Sequence, residues 1–133
     1  MKTINKWLEQ HAGEILGDIK TLVAAESPSM DKAAVDRCGE VLQGIFRARL
    51  GLQAEVDPQP VQGNHLKLTL GETGPQTTLI GHFYTVWDRG ELALREEDGR
   101  LYGPGVLDMK AGLVQAIWAV RALQQLNLLG GQR

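Results

Sequence analysis

Apolar residues at Ile4, Trp7, Leu8, Ile15, Ile19, Leu22 and Val23 recur at helical spacings. They predict one amphipathic N-terminal helix whose apolar stripe faces a core. Ser27-Pro28-Ser29 ends it, because proline restricts the residue before it and has no N–H to donate. Asp31 fits the N-cap of a second helix reaching Leu50, with Val35, Cys38, Val41, Leu42, Ile45 and Phe46 on one face and Gly51 as its stop. His11 falls inside the first helix without a partnering motif and reads as a partly exposed packing residue.

After Gly51 the period changes to two. Leu52, Ala54 and Val56 alternate with polar residues until Pro58 and Pro60, predicting a strand near a sheet edge. Leu66, Leu68 and Leu70 alternate in a second strand, and His65 at its start reads as a solvated strand-end histidine. A turn over 71–75 leads into 77–80, predicted to be a buried strand that presents His82 where it leaves the sheet. Residues 94–102 read as a hairpin with Asp98-Gly99 in its turn and a solvated charged face. A last helix over 110–127 carries Leu113, Val114, Ala116, Ile117, Val120, Leu123 and Leu126, a face broad enough to be covered on more than one side. Trp118 belongs to its core face, and Gly130-Gly131 closes it. This order predicts an α/β fold with helices flanking a mixed sheet.

Composition narrows the possibilities without adding a function. The 133 residues suit one small domain, and 43% hydrophobic with 23% charged residues is ordinary for a globular protein. Fourteen basic and 16 acidic residues leave a net charge of −2 with no long block of either sign, so neither nucleic acid nor an anionic membrane is an expected partner. Cys38 is the only cysteine, which excludes an intramolecular disulfide and a cysteine-built zinc cluster. Its place on an apolar stripe makes it a buried structural thiol. Lys2, Lys6, Glu9, Glu14, Asp18 and Lys20 interrupt any leader-like run, so the expected location is the cytoplasm.

The candidate chemistry lies in two segments, Leu79-Ile80-Gly81-His82-Phe83-Tyr84-Thr85-Val86-Trp87 and Gly103-Pro104-Gly105-Val106-Leu107-Asp108-Met109-Lys110-Ala111-Gly112. Each is apolar, then glycine, then a lone metal-capable side chain. His82 is placed at a strand end and Asp108 at the mouth of a helix beginning around Met109. Their spacing lets the chain make a hairpin and return to the same rim, which is how a metal site is assembled from loops.

The paired pattern, Gly-His-x-x-x-Val followed by Gly-Pro-Gly-x-x-Asp-Met-Lys-x-Gly, resembles that of the two-zinc exopeptidases and deacylases. These include glutamate carboxypeptidase, acetylornithine deacetylase, succinyl-diaminopimelate desuccinylase and aminoacylase. Tyr102-Gly103-Pro104-Gly105 and Asp108-Met109-Lys110 resemble the glutamate carboxypeptidase branch most. The resemblance implies the first part of a catalytic domain and a pair of zinc ions. It implies His82 binding one ion, Asp108 bridging both, and a peptide or N-acyl amino acid as substrate. It makes the 26–29 region a connector rather than a catalytic element.

Two departures follow from the same comparison. Tyr84 stands where the family has an aspartate that orients the ligand histidine, a supporting role worth roughly 10–100-fold in metal affinity or activity. The family's general-base glutamate and remaining ligands come on later strands than Arg133. The expectation is therefore that residues 1–133 are an incomplete N-terminal portion of the domain, inactive alone. The alternative is a non-catalytic domain that pairs through an open sheet edge with a second copy or another chain. A single base change could also have placed tyrosine at position 84 in a decaying gene.

Overall fold

In a computed structural model, which describes residues 2–130, two helices carry the N-terminal stripe where the periodicity predicts one. These are α1 (Lys2–Gln10) and α2 (Ala12–Ala24). The break is at His11, with φ −108° and ψ 11°. Its backbone N–H bonds the Leu8 carbonyl at 3.0 Å, while the Trp7 carbonyl is bonded by the ring Nδ1 at 2.7 Å. A carbonyl only accepts, so Nδ1 carries the hydrogen. The imidazole thus takes the acceptor that an unbroken α-helix would give to the His11 N–H. The ring also stacks on Trp7, with centroids 3.9 Å apart.

The second predicted helix is α3 (Lys32–Leu50). The Asp31 carboxylate accepts the Ala34 N–H at 2.9 Å, and Gly51 closes the far end at φ +69°, its N–H on the Arg47 carbonyl. The last helix is α4 (Ala111–Gln125); of the predicted closing pair, Gly130 is at φ +55° and Gly131 lies outside the described residues. Leu22 of α2, Cys38, Leu42 and Ile45 of α3, and Val114, Ile117 and Trp118 of α4 form the buried core. Cys38 and Trp118 are buried as expected. Burial of about 25 cal/mol per Å² of apolar surface is what holds the helices together.

In place of one mixed sheet the strands form two small separate ones. Strand β1 (Glu55–Asp57) pairs antiparallel with β2 (His65–Lys67), Val56 opposite Leu66. Strand β3 (Arg95–Glu97) pairs with β4 (Arg100–Tyr102). Asp98 at φ +50° and Gly99 at φ +71° make the predicted turn, and the hairpin's charges are exposed. A parallel bridge joins Pro28 to Thr85. The architecture is α/β: among the described residues the helices accompany two separate two-stranded antiparallel sheets and one isolated parallel bridge.

Residues 77–80 are not the predicted buried strand. Leu79 is 66% and Ile80 89% exposed, and among the described residues no ladder pairs them. An apolar run supplies side chains for a strand, but only a neighbour's N–H and C=O groups make it one. Leu68 and Leu70 likewise lie beyond the paired part of β2, although their burial still alternates with that of Thr69. No helix among the described residues is long and apolar enough to cross a membrane.

Asp36 ties α3 to the segment before β2. Its carboxylate accepts the Asn64 N–H at 2.7 Å and the Lys32 ammonium at 2.9 Å. The Asn64 N–H, then Lys32, hold its pKa below the ordinary carboxylate value. A depressed folded pKa gives stability that is present above the unfolded value, about pH 4, and lost as pH falls through the folded one. Asp36→Asn is expected to cost about 1 kcal/mol at neutral pH and to flatten the acid limb of stability below about pH 4 in urea titrations. An unchanged acid limb would refute this role.

Candidate metal centre

The segment bearing His82 is fixed from behind rather than by the strand that precedes it. Phe83 packs on the core and Thr85 is buried, while Tyr84 between them faces solvent. The Ser27 hydroxyl donates to the Phe83 carbonyl at 2.5 Å, and the Thr85 N–H to the Ser27 carbonyl at 2.8 Å. The Ser29 N–H and hydroxyl both donate to the Thr85 carbonyl, each at 2.8 Å. Alternation along this short extended stretch turns His82 to the same side as Tyr84.

Asp108 does not sit on a helical first turn. Gly105 takes φ +79°, and a single wide turn over Val106–Lys110 precedes α4, with the Lys110 N–H on the Gly105 carbonyl at 2.8 Å. Asp108 (φ −125°, ψ 98°) and Met109 (φ −138°, ψ 32°) depart from helical geometry inside that turn, and the peptide joining them is cis. The helix therefore begins at Ala111, two residues later than the glycine-proline-glycine signal predicts. The Asp108 side chain is left 83% exposed.

The two segments bring the candidate ligands together. His82 Nε2 lies 3.0 Å from Asp108 Oδ1, and His82 Nδ1 lies 3.1 Å from the Tyr84 carbonyl oxygen. A carbonyl and a carboxylate are both acceptors, and a neutral imidazole has one N–H to give; the tautomer that gives it from Nδ1 to Tyr84 leaves the Nε2 lone pair free beside Oδ1 as a metal donor. Zinc bonded to an imidazole nitrogen and a carboxylate oxygen at about 2.0–2.2 Å each holds those atoms about 3–3.5 Å apart. The pair fits zinc as donors and in spacing. At position 84 it is the backbone carbonyl that meets His82 Nδ1, while the phenol ring stacks on the imidazole, centroids 4.7 Å apart.

Among the described residues no group of three or more histidine, cysteine or acidic side chains gathers anywhere. His82 and Asp108 are two candidate ligands where a catalytic zinc generally takes three from protein. His65 lies 3.6 Å from Asp57, and His11 is engaged with Trp7, so both stand apart from the pair.

The sequence reading noted Lys110 as a motif residue and missed its burial. Lys110 is fully buried, and its ammonium donates to the Ala25 carbonyl at 2.8 Å. Burial pushes its pKa down, partly offset by the neighbouring Cys38 and Glu26. The signal was available: Lys110 lies four, seven and eight positions before Val114, Ile117 and Trp118, on the stripe of α4 that is buried.

Comparison with known proteins follows the same residues. The profile of peptidase family M20/M25/M40 matches residues 78–130. Acetylornithine deacetylase of Edwardsiella ictaluri is 35% identical over 68% of this chain and 27% of its own length. The enzymes of that name from Klebsiella pneumoniae and Salmonella arizonae are 33% and 31% identical, over 77% and 82% of this chain and 30% and 31% of their own. The chain spans less than a third of the length of these relatives.

Proposed function

We propose, for a chain that belongs to peptidase family M20/M25/M40, that residues 1–133 are the N-terminal portion of a zinc-dependent amide hydrolase and supply two of its metal ligands. The observation that carries this is the 3.0 Å approach of His82 Nε2 to Asp108 Oδ1. In the complete site a zinc pair would polarise the scissile carbonyl and acidify a bound water. His82 offers Nε2 with its tautomer held by the Tyr84 carbonyl. Asp108 has a second carboxylate oxygen for the second ion. The substrate class is a peptide or an N-acyl amino acid. The names of the relatives favour the N-acyl amino acid, and the glycine-proline-glycine motif favours the glutamate carboxypeptidase branch. The protein works in the cytoplasm in this reading.

The chain alone is expected to be inactive. Purified residues 1–133 with zinc should hydrolyse neither an N-acetyl amino acid nor a dipeptide ending in glutamate above the zinc-buffer background. Turnover that disappears in His82→Ala would show that two ligands suffice and that the reading of an incomplete portion is wrong.

Tyr84→Asp is expected to raise zinc affinity about tenfold, because a carboxylate beside the imidazole raises its basicity where a carbonyl only orients it. A chelator-competition titration of both chains measures this, and equal affinities would remove the carboxylate from the explanation.

The exposure of Leu79 and Ile80 favours a second reading, a non-catalytic domain that pairs through 77–80 with another copy or another chain. A monodisperse monomer in sedimentation would exclude self-pairing.

A further inference from the structure

The connector 25–29 touches every loop that bears on the candidate site. Ala25 is the C-cap of α2, and its carbonyl accepts the Lys110 ammonium at 2.8 Å. The Glu26 carboxylate accepts the Gly90 N–H at 2.8 Å. Ser27, fully buried, bonds the Phe83 carbonyl through its hydroxyl and the Thr85 N–H through its own carbonyl. Ser29 bonds Thr85 twice more. Phe83 adjoins His82, and Lys110 stands two residues from Asp108. The segments of both candidate ligands are therefore tied to one five-residue stretch.

The lysine is the informative member. Its position on the α4 stripe would accept methionine, which needs no partner, whereas a buried ammonium carries a desolvation penalty. A carbonyl at a helix C-terminus is a favourable place for a cation, which explains how the charge is tolerated. Packing alone gives no reason to keep it.

We propose that Lys110 and Ser27 are positioning residues: through the connector 25–29 they set the His82–Asp108 separation at the value a metal ion needs. The inference rests on the metal-ligand reading above. Without the Lys110 tether the wide turn over Val106–Lys110 is free to move Asp108 away from His82. Without the Ser27 hydroxyl the Phe83 carbonyl loses a buried donor beside His82.

The test compares wild type, His82→Ala, Lys110→Met and Ser27→Ala in chelator-competition titrations with zinc, each with a urea unfolding curve. Nuclear Overhauser contacts between the His82 ring and the Asp108 methylene protons are recorded without metal. Expected is loss of binding in His82→Ala and about tenfold weaker binding in Lys110→Met and Ser27→Ala. Lys110→Met should also lose the ring contact while keeping or gaining stability, an outcome that a merely structural lysine would not produce. If His82→Ala abolishes binding while both other variants bind like wild type, the positioning role is overturned and the metal reading stands. If His82→Ala binds like wild type, the metal reading falls. The ring contact then decides positioning alone, and its survival in both variants overturns it. Ser27→Ala carries the test if Lys110→Met does not fold.

Discussion

Trp118→Ala is expected to lower the unfolding free energy by about 3–5 kcal/mol, the range for removing a large aromatic side chain from a packed core. The indole is fully buried on α4 and lies where α1, α2 and α3 meet it. Its Nε1–H donates to the Asp18 carboxylate at 2.8 Å, so the loss includes a charge-assisted hydrogen bond. Trp7 at 6.0 Å and His11 at 5.6 Å would face the cavity, and the Arg49 guanidinium, 4.8 Å from the ring centre, would lose the aromatic face it covers. Asp18 remains paired with Arg49, so no bare buried charge is created. Urea unfolding followed by far-ultraviolet circular dichroism gives the number. Trp118→Phe should recover most of the packing and lack chiefly the indole hydrogen bond to a carboxylate, about 1.5–3 kcal/mol. A loss below about 1.5 kcal/mol for the alanine variant would mean that α4 is not the centre of the core.

Gly105→Ala is the second large effect, and it reaches both stability and the site. The glycine holds φ +79°, a region that costs an L-residue about 1–2 kcal/mol. An added Cβ would stand 2.6 Å from Cγ2 of Thr85, a buried residue whose backbone is bonded on both sides to the connector. Thr85 cannot withdraw without breaking those bonds, so overpacking of about 1–3 kcal/mol adds to the strain. The expected total is about 2–5 kcal/mol. Because Gly105 separates the segment of Asp108 from that of His82, the two candidate ligands should also move apart, and at the proposed site zinc binding should weaken in the molecules that still fold. Gly90→Ala is the control, since Gly90 also has positive φ, +74°, but nothing lies within 4 Å of an added Cβ. If both variants lose equal stability, the contact with Thr85 contributes nothing.

The parts of this fold legible in the sequence are those whose cause is local. Asp31 and Gly51 mark the ends of α3 because a cap is made within one turn of chain. Asp98-Gly99 marks its hairpin for the same reason. His82 and Asp108 were legible as a pair because glycine-flanked motifs advertise them, and the structure places them in contact. What periodicity missed depends on partners. The break between α1 and α2 turns on one imidazole competing for the Trp7 carbonyl, which no spacing of apolar residues records. Strand character at 77–80 needs a neighbouring backbone, and the chain's own alternation is silent about whether one is present. Lys110 was read as part of a motif, and only its place beside Ala25 shows what its charge does.

The connector's bonds join residues far apart along the chain: Ser27 to Phe83 spans 56 residues and Ala25 to Lys110 spans 85. Closing such loops carries an entropy penalty that grows with their length, whereas helices and the β3–β4 hairpin form from near neighbours. The helices and the hairpin can therefore be in place before the two ligand-bearing loops are drawn onto their platform. On this entropic argument the approach of His82 to Asp108 is expected to form after the local elements, on a platform that they supply.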